Sequence, residues 1–296
     1  MKKVVFIVNP ISGGKAKDKI LATVEKHLDS SEYEYSIVFT QRPGHGTEIA
    51  RDCSADLVVA VGGDGTVSEV AQGIILSGQS KTFGIIPCGS GDGLALHLGI
   101  SRNPRKAVSV LNEGATGVMD YGTVNGKPFF CTTGTGFDAD VAEAFASSGK
   151  RGLWTYITTA LRLWWGFKPS HYTIEADGQR FDGNAAMVTV GNVNQWGNQA
   201  RITPLASVAD GKMDVTVVRP FRTWDIPALA IRLLTGKAHT ARKVTMLRGA
   251  SVHICRDNDG ACHFDGDPCR FGREITVETH PAALRVAIPA NKQNKI

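Results

Sequence analysis

The run Leu57–Val61 is followed at once by Gly62-Gly63-Asp64-Gly65-Thr66, which puts a glycine-dense turn at the end of a buried strand and the start of a helix. Helix N-termini leave N–H donors without intrahelical partners, and glycine lets a phosphate approach the backbone closely. Open α/β sheets bind anionic ligands at such positions. Asp64 is the informative residue. A carboxylate beside a polyphosphate repels it unless a cation or a proton-transfer role offsets the charge, which calls for Mg²⁺ nearby or for general-base work by Asp64.

Spacing removes the commonest rival motifs. A Walker A loop ending at Gly14-Lys15 would need glycine where Asn9 stands and Ser or Thr where Ala16 stands. A dinucleotide fingerprint would need a third glycine at Ser68 or at Leu94. Three further turns of similar chemistry fall on the same edge of the expected sheet: Asn9-Pro10-Ile11-Ser12-Gly13-Gly14, Thr40 after Tyr35–Phe39, and Gly89-Ser90-Gly91-Asp92-Gly93 after Phe83–Pro87.

The elements that position these turns alternate. Val4–Val8 is a continuous apolar run, and Ile20, Leu21, Val24 and Leu28 recur at helical spacing behind it. The pattern repeats at Leu57–Val61 with Val67–Leu76, and at Phe83–Ile86 with Leu94–Leu98. Alternating short strands and helices imply a parallel sheet covered on both faces. After Leu111 short alternating runs take over, at 117–124, 129–133, 172–176, 186–190 and 213–218. Asn125-Gly126, Asp177-Gly178 and Asp210-Gly211 punctuate them as hairpin turns. Two helical stretches, Ala139–Trp165 and Trp224–Leu234, would pack on these strands. The expected organisation is an α/β nucleotide-binding domain at 1–116 and a β-rich sandwich at 117–280. A C-terminal segment at 281–296 would return to the first domain and end in a frayed tail from Asn291.

Taken together, Asn-Pro-x-Ser-Gly, Gly-Gly-Asp-Gly-Thr-x-x-Glu and Pro-x-Gly-Ser-Gly-Asp-Gly-Leu-Ala resemble the catalytic domain of the diacylglycerol kinase and sphingosine kinase family, in its bacterial form. The resemblance implies an N-terminal α/β domain of the NAD kinase and phosphofructokinase type that carries ATP, and a C-terminal β-sandwich that supplies the lipid site. It implies that Asn9, Pro10, Ser12, Gly13, Thr40, Gly62, Gly63, Asp64, Gly65, Thr66, Glu69, Gly89, Ser90 and Gly91 line the nucleotide, with Asp64 near its Mg²⁺. The segment Pro204–Asp214 looks like the family's Pro-x-Ala-x-x-x-Asp-Gly loop. There Asp210, with the carbonyls of Ser207 and Lys212, would hold a structural Mg²⁺; an ordinary Asp-Gly hairpin turn is the other reading. His263-Phe264-Asp265-Gly266-Asp267 matches the family's Asp-Gly-Glu motif, which makes Asp267 the base that takes the lipid hydroxyl proton, with Asp64 as the alternative. Asp267 stands where the family has Glu. Asp92 stands where many bacterial diacylglycerol kinases have an Asn-Asp pair, and Gly-Ser-Gly-Asp-Gly-Leu-Ala is nearer the sphingosine and ceramide kinase form.

Composition bounds the rest. The net charge of +5 favours anionic partners, and 296 residues with 42% hydrophobic content make an ordinary globular chain of two domains. Asn9-Pro10 cuts the first apolar run short of a signal sequence, and no stretch reaches the roughly 20 apolar residues of a membrane span. A cytoplasmic protein peripheral to the membrane is expected, with a lipid substrate presented at the membrane surface, no nucleic acid, and a homodimer allowed. Trp154, Tyr156, Leu161, Leu163, Trp164, Trp165 and Phe167, flanked by Lys150, Arg151, Arg162 and Lys168, suit a membrane interface or lipid cleft as well as a core helix. Cys255, Cys262 and Cys269 lack zinc-finger spacing, and a turn at Asn258–Gly260 would set Cys255 opposite Cys262. An NAD kinase-like enzyme with a soluble acceptor, or a nucleotide binder without catalysis, are the competing functions.

Overall fold

The computed structural model describes residues 1–12, 16–149 and 153–293, so Gly13, Lys150, Arg151 and the last three residues of the expected frayed tail lie outside the described residues. Residues 1–120 and 282–296 form one unit and residues 121–281 another.

In the first unit, strands β1 (Lys2–Val8), β2 (Tyr33–Phe39), β3 (Leu57–Gly62) and β4 (Thr82–Pro87) run parallel in the order β2-β1-β3-β4. The end of the C-terminal strand Glu274–Ala287 extends this sheet, with Arg285 opposite Thr82 and Val286 opposite Phe83. Every residue of β3 is buried, as expected of a central strand covered on both faces. The helices are α1 (Ala16–His27), α2 (His45–Asp52), α3 (Asp64–Ser77), α4 (Gly93–Leu98) and α5 (Pro104–Glu113). α5 carries clear local signals: Asn103 caps the amides of Arg105 and Lys106, Pro104 opens the first turn and Gly114 closes the helix in the left-handed region. α2 has few signals of its own. Its start is held by α3, whose Glu69 carboxylate accepts from Gly44 N at 2.8 Å and Gly46 N at 3.0 Å.

The second unit is a sandwich. Chain order supplies β5 (Thr116–Val124), whose first five residues belong to the first unit, β6 (Lys127–Phe129), β7 (Thr132–Gly136), α6 (Phe137–Ser147), α7 (Leu153–Trp164), β8 (Ser170–Ala176), β9 (Gln179–Ala185), β10 (Met187–Gly191) and β11 (Met213–Val218). There follow α8 (Ile226–Leu234), β12 (Val244–Gly249), β13 (Ser251–Arg256), β14 (Gly260–Phe264), β15 (Asp267–Phe271) and β16 (Glu274–Ala287). One sheet reads β16-β13-β8-β9, with β5 attached to β16 and β6 to β5; the other reads β12-β11-β10-β7-β14-β15. Ile174, Val252, Ile275 and Val277 of the first sheet share a core with Val188, Val215, Val217, Leu247 and Cys262 of the second. This is the interdigitation that holds two sheets face to face.

Several local expectations change. Asn125-Gly126 and Asp177-Gly178 turn hairpins, but Asp210-Gly211 ends a long loop that leads into β11. The helix expected over Ala139–Trp165 is two helices, α6 and α7. The strand expected at 129–133 breaks between β6 and β7, because the amides of Phe130, Cys131 and Thr132 turn onto the Asp265 carboxylate rather than into a ladder. Cys262 faces Cys269 across the β14–β15 hairpin, and Cys255 lies on β13 in the other sheet. The hairpin turns at Asp265-Gly266, seven residues beyond the expected Asn258.

Candidate functional site

Two of the glycine turns meet in the first unit. The turn after β3 runs straight into α3, whose N-cap is Gly63 and whose first amides have no side-chain cap. The turn after β4 lies against it: a Cβ on Gly63 would sit 3.1 Å from Gly89 Cα. Asp64 ties them together, accepting from Asp92 N at 2.8 Å through one oxygen and from Gly93 N at 2.7 Å through the other. Burial pushes the Asp64 carboxyl above its usual range, the charge of Asp92 adds to this, and the Gly93 amide pulls against it.

Asp92 is buried, with φ 51° in the left-handed region. One oxygen accepts from Gly89 N at 2.9 Å, and the other meets Arg102 Nε at 2.7 Å. Arg102 also donates to the carbonyls of Ser90 (3.0 Å) and Gly91 (2.8 Å). Burial raises the Asp92 carboxyl, and the Arg102 hydrogen bond works in the other direction. The first turn is built locally: Asn9 Oδ1 accepts from Ile11 N, and Ser12 N reaches Asn9 O. Thr40 is buried and its amide bonds to Val8 O, and Pro10 is exposed.

The donor set fits a nucleotide phosphate. Thr66 Oγ1 is buried without a partner beside the uncapped start of α3. An anion placed there would meet that hydroxyl and the helix amides together. Glu69, expected at the nucleotide, spends both oxygens on the start of α2 and so acts as a brace. Among the described residues no cluster of three ligating side chains is present, so a Mg²⁺ ion at this turn would be held largely by the phosphates it accompanies, where it would neutralise their charge.

In the second unit, Asp265 and Gly266 form a two-residue hairpin turn at φ 50° and 87°, and Asp267 follows as an exposed residue opposite Phe264. The Asp265 carboxylate accepts from Phe130 N at 2.9 Å, Cys131 N at 2.7 Å and Thr132 N at 3.2 Å. Asp267 is thus carried on a turn pinned to the β6–β7 break.

The loop at Ser207–Lys212 does not fit a divalent ion as its side chains stand. Lys212 N donates to Asp210 Oδ1 at 3.2 Å, and the other oxygen of Asp210 pairs with the Arg248 guanidinium. Arg248 Nε lies 3.4 Å from the buried Asp214. The Arg248 guanidinium already pairs with the carboxylate that the ion would need.

A second feature of this unit lies where the sequence allows helices packed on the strands and a lipid cleft at the aromatic stretch. The outer face of the second sheet, at Met187, Val218 and Val244, is covered by α7 and α8 over an apolar cavity of about 170 Å³. Leu161, Trp164, Leu229 and Leu233 are among the side chains that line it. The aromatic stretch divides between its two readings: Trp164 stacks on Phe221 at 4.5 Å, whereas Trp154 (76% exposed) and Trp165 (82%) face outward. α8 has no buried residue and presents Ile231 and Leu234 outward as well. No helix among the described residues is long and apolar enough to cross a membrane.

Residues 3–124 match the diacylglycerol kinase catalytic domain, and residues 131–288 match the YegS C-terminal NAD kinase beta sandwich-like domain. The diacylglycerol kinase of Bacillus subtilis is 28% identical over 304 residues, covering 100% of this chain and 99% of its own. A protein of Chromohalobacter salexigens named "Probable lipid kinase YegS-like" is 27% identical over 265 residues, covering 87% of this chain and 85% of its own. Among solved structures, a diacylglycerol kinase from Bacillus anthracis superposes with a TM-score of 0.76 at 20% identity over 98% of both chains. An NAD kinase from Archaeoglobus fulgidus in complex with ATP gives 0.55 at 13%, covering 98% and 95%. At these identities the structures show the fold, an α/β domain with a parallel sheet followed by a β-sandwich, as the sequence leads one to expect.

Proposed function

We propose that this chain, which belongs to the family built from a diacylglycerol kinase catalytic domain and a YegS C-terminal NAD kinase beta sandwich-like domain, moves the γ-phosphoryl group of ATP onto the hydroxyl of a diacylglycerol, sphingoid or ceramide-type lipid. Membership makes it a lipid kinase in general. ATP as donor, Mg²⁺ as its companion and the class of acceptor are our reading.

The cavity under α7 and α8 carries the lipid acceptor. Its volume is close to the roughly 150 Å³ of an apolar cavity that stays dry and takes up a hydrocarbon, and its lining offers no charged side chain. α8 is apolar on its cavity side and on its outer side, with Arg232 as its one charge. Trp154, Ile157, Leu161 and Trp165 follow one another at helical spacing on α7 and beyond, with Arg162 and Lys168 beside them. This combination suits an interfacial helix on an anionic membrane, so the acceptor would be met at the lipid surface.

The chemistry asked of the protein is modest, because phosphoryl transfer depends mainly on positioning and charge neutralisation. The uncapped start of α3, Thr66 and the two glycine turns would hold the phosphates. Asp267 would orient the lipid hydroxyl and accept its proton as the hydroxyl oxygen bonds to the γ-phosphorus and the bond to ADP breaks. Its exposure on the pinned hairpin is consistent with that role.

The test is a transfer assay with purified protein, Mg²⁺ and γ-labelled ATP against diacylglycerols, sphingoid bases, ceramides and NAD. Label in a lipid is expected. Label in NAD alone would replace this reading with a soluble-acceptor kinase, and ATP binding without label in any acceptor would leave a nucleotide binder. Asp267→Ala is expected to bind ATP normally and lose about 10²-fold or more in turnover.

A further inference from the structure

We infer that Arg102 is a positioning residue for the nucleotide: it neutralises the buried Asp92 and fixes the direction of the amides in the Ser90–Asp92 turn. The inference rests on the proposed use of this turn for nucleotide phosphates.

Three contacts made by one guanidinium define the role. Arg102 meets Asp92 through Nε at 2.7 Å, and one terminal nitrogen reaches both Ser90 O (3.0 Å) and Gly91 O (2.8 Å). In a trans peptide the N–H points opposite to the C=O. Drawing the Ser90 and Gly91 carbonyls toward Arg102 therefore turns the amides of Gly91 and Asp92 the other way. The Asp92 amide does go the other way, onto Asp64 Oδ2 at 2.8 Å. By the same geometry the Gly91 amide is turned away from Arg102, where it would donate to an anion. Without Arg102 the Ser90 carbonyl would be free to rotate toward a bound phosphate and repel it, while the Gly91 carbonyl would still be directed by the Asp92–Asp64 hydrogen bond.

Charge gives the second reason. The Asp92 side chain is 1% exposed, and Asp64 lies beside it, so two carboxylates flank a turn that has to accept several phosphate charges. A buried acid without a partner is costly, and near a polyphosphate it would also lower affinity. Arg102 is the cation that meets Asp92, while its own side chain remains 42% exposed at the surface. An amide in place of Asp92 could still accept from Gly89 N but would need no cation, which makes the pair separable by substitution.

Binding of ATP with Mg²⁺ by calorimetry, together with KM for ATP and kcat in the lipid assay, tests this on the full chain. Arg102→Ala is expected to weaken ATP binding and raise KM about 10- to 30-fold, with kcat changed less than about threefold, and Arg102→Lys to recover only part, since lysine cannot meet the carboxylate and two carbonyls in one plane. The double variant Arg102→Ala with Asp92→Asn should bind ATP more tightly than Arg102→Ala alone. Wild-type affinity in Arg102→Ala, or no recovery in the double variant, would overturn the inference. If Arg102→Ala does not fold, Arg102→Lys and the double variant carry the same comparison. Absence of ATP binding by the wild-type chain would instead count against the proposed donor, so the two failures are distinguishable.

Discussion

The amide nitrogen of Cys131 lies 2.7 Å from Oδ1 of Asp265, and the neighbouring amides of Phe130 and Thr132 close on the same carboxylate. Three consecutive backbone donors on one acid is an anchor. It couples the β6–β7 break to the hairpin whose next but one residue is Asp267. The arrangement also explains why the first acid of Asp-Gly-Asp is an aspartate: the position needs left-handed φ, which Asp and Asn tolerate, and a short acceptor that reaches back to another strand.

Asp265→Ala removes the acceptor and leaves three buried amides to find others, at about 1–3 kcal/mol. The expected result is a lower Tm and lipid-kinase turnover reduced roughly as far as in Asp267→Ala, with ATP affinity unchanged. Asp265→Asn keeps the turn conformation but loses charge, so it should fall between wild type and Asp265→Ala on both measures. Full activity in Asp265→Ala would mean that the hairpin does not depend on this anchor.

A pair of glycines separates packing from open space in the turns proposed to hold the phosphates. A Cβ on Gly63 would press on Gly89 Cα at 3.1 Å, whereas a Cβ on Gly65 meets nothing within 4 Å. Gly63→Ala should therefore lower both Tm and ATP affinity. Gly65→Ala should leave Tm within error of wild type and lower ATP affinity about tenfold, because the open space is where a phosphate would approach the backbone. Unchanged affinity in Gly65→Ala would move the phosphate away from this residue.

Much of the first unit was legible because its signals are local. Continuous apolar runs at Val4–Val8 and Leu57–Val61, each ending in a glycine turn, specify buried parallel strands and set those turns at one edge of the sheet. α2 was not legible, since its start is capped by Glu69 from another helix, and a side chain 23 residues away leaves no mark at Gly46. Arg102 is a similar case. Asp92 stands out in the sequence only as a departure from the Asn-Asp pair of many bacterial diacylglycerol kinases, and nothing there says that it is buried or that Arg102 reaches it. In the second unit the hairpin turns at Asn125-Gly126 and Asp177-Gly178 could be read from residue type. The pairing of Cys262 with Cys269 could not, because Asn258–Gly260 and Asp265-Gly266 offer two turn sites and only sheet pairing selects between them.

Arg248 bears on metal dependence. With its guanidinium on Asp210 and its Nε 3.4 Å from Asp214, the Ser207–Asp214 loop carries its own cation. EDTA should leave the Tm of the nucleotide-free protein unchanged, and Mg²⁺ alone should not raise it. Arg248→Gln uncovers both acids and is expected to cost about 1–3 kcal/mol, less than for a wholly buried pair because Arg248 is 40% exposed. In that variant Mg²⁺ should restore part of the lost Tm. A fall in wild-type Tm on chelation would show that a divalent ion, and not Arg248, holds the loop.

The cavity under α7 and α8 gives the prediction that separates acceptor from donor. Ala230 lines it from α8 and Leu229 lies beside it, so Ala230→Trp would fill much of about 170 Å³ from a helix with no buried residue. Filling an existing space from a surface helix avoids the usual overpacking cost of a close-packed core, and Tm should change little. If the cavity receives an acyl chain, KM for a long-chain lipid should rise about tenfold or more. A short-chain analogue should lose far less, and ATP affinity should stay at the wild-type value. Equal losses for long and short chains would place the lipid elsewhere. A loss of ATP affinity would mean that the substitution acts beyond the second unit.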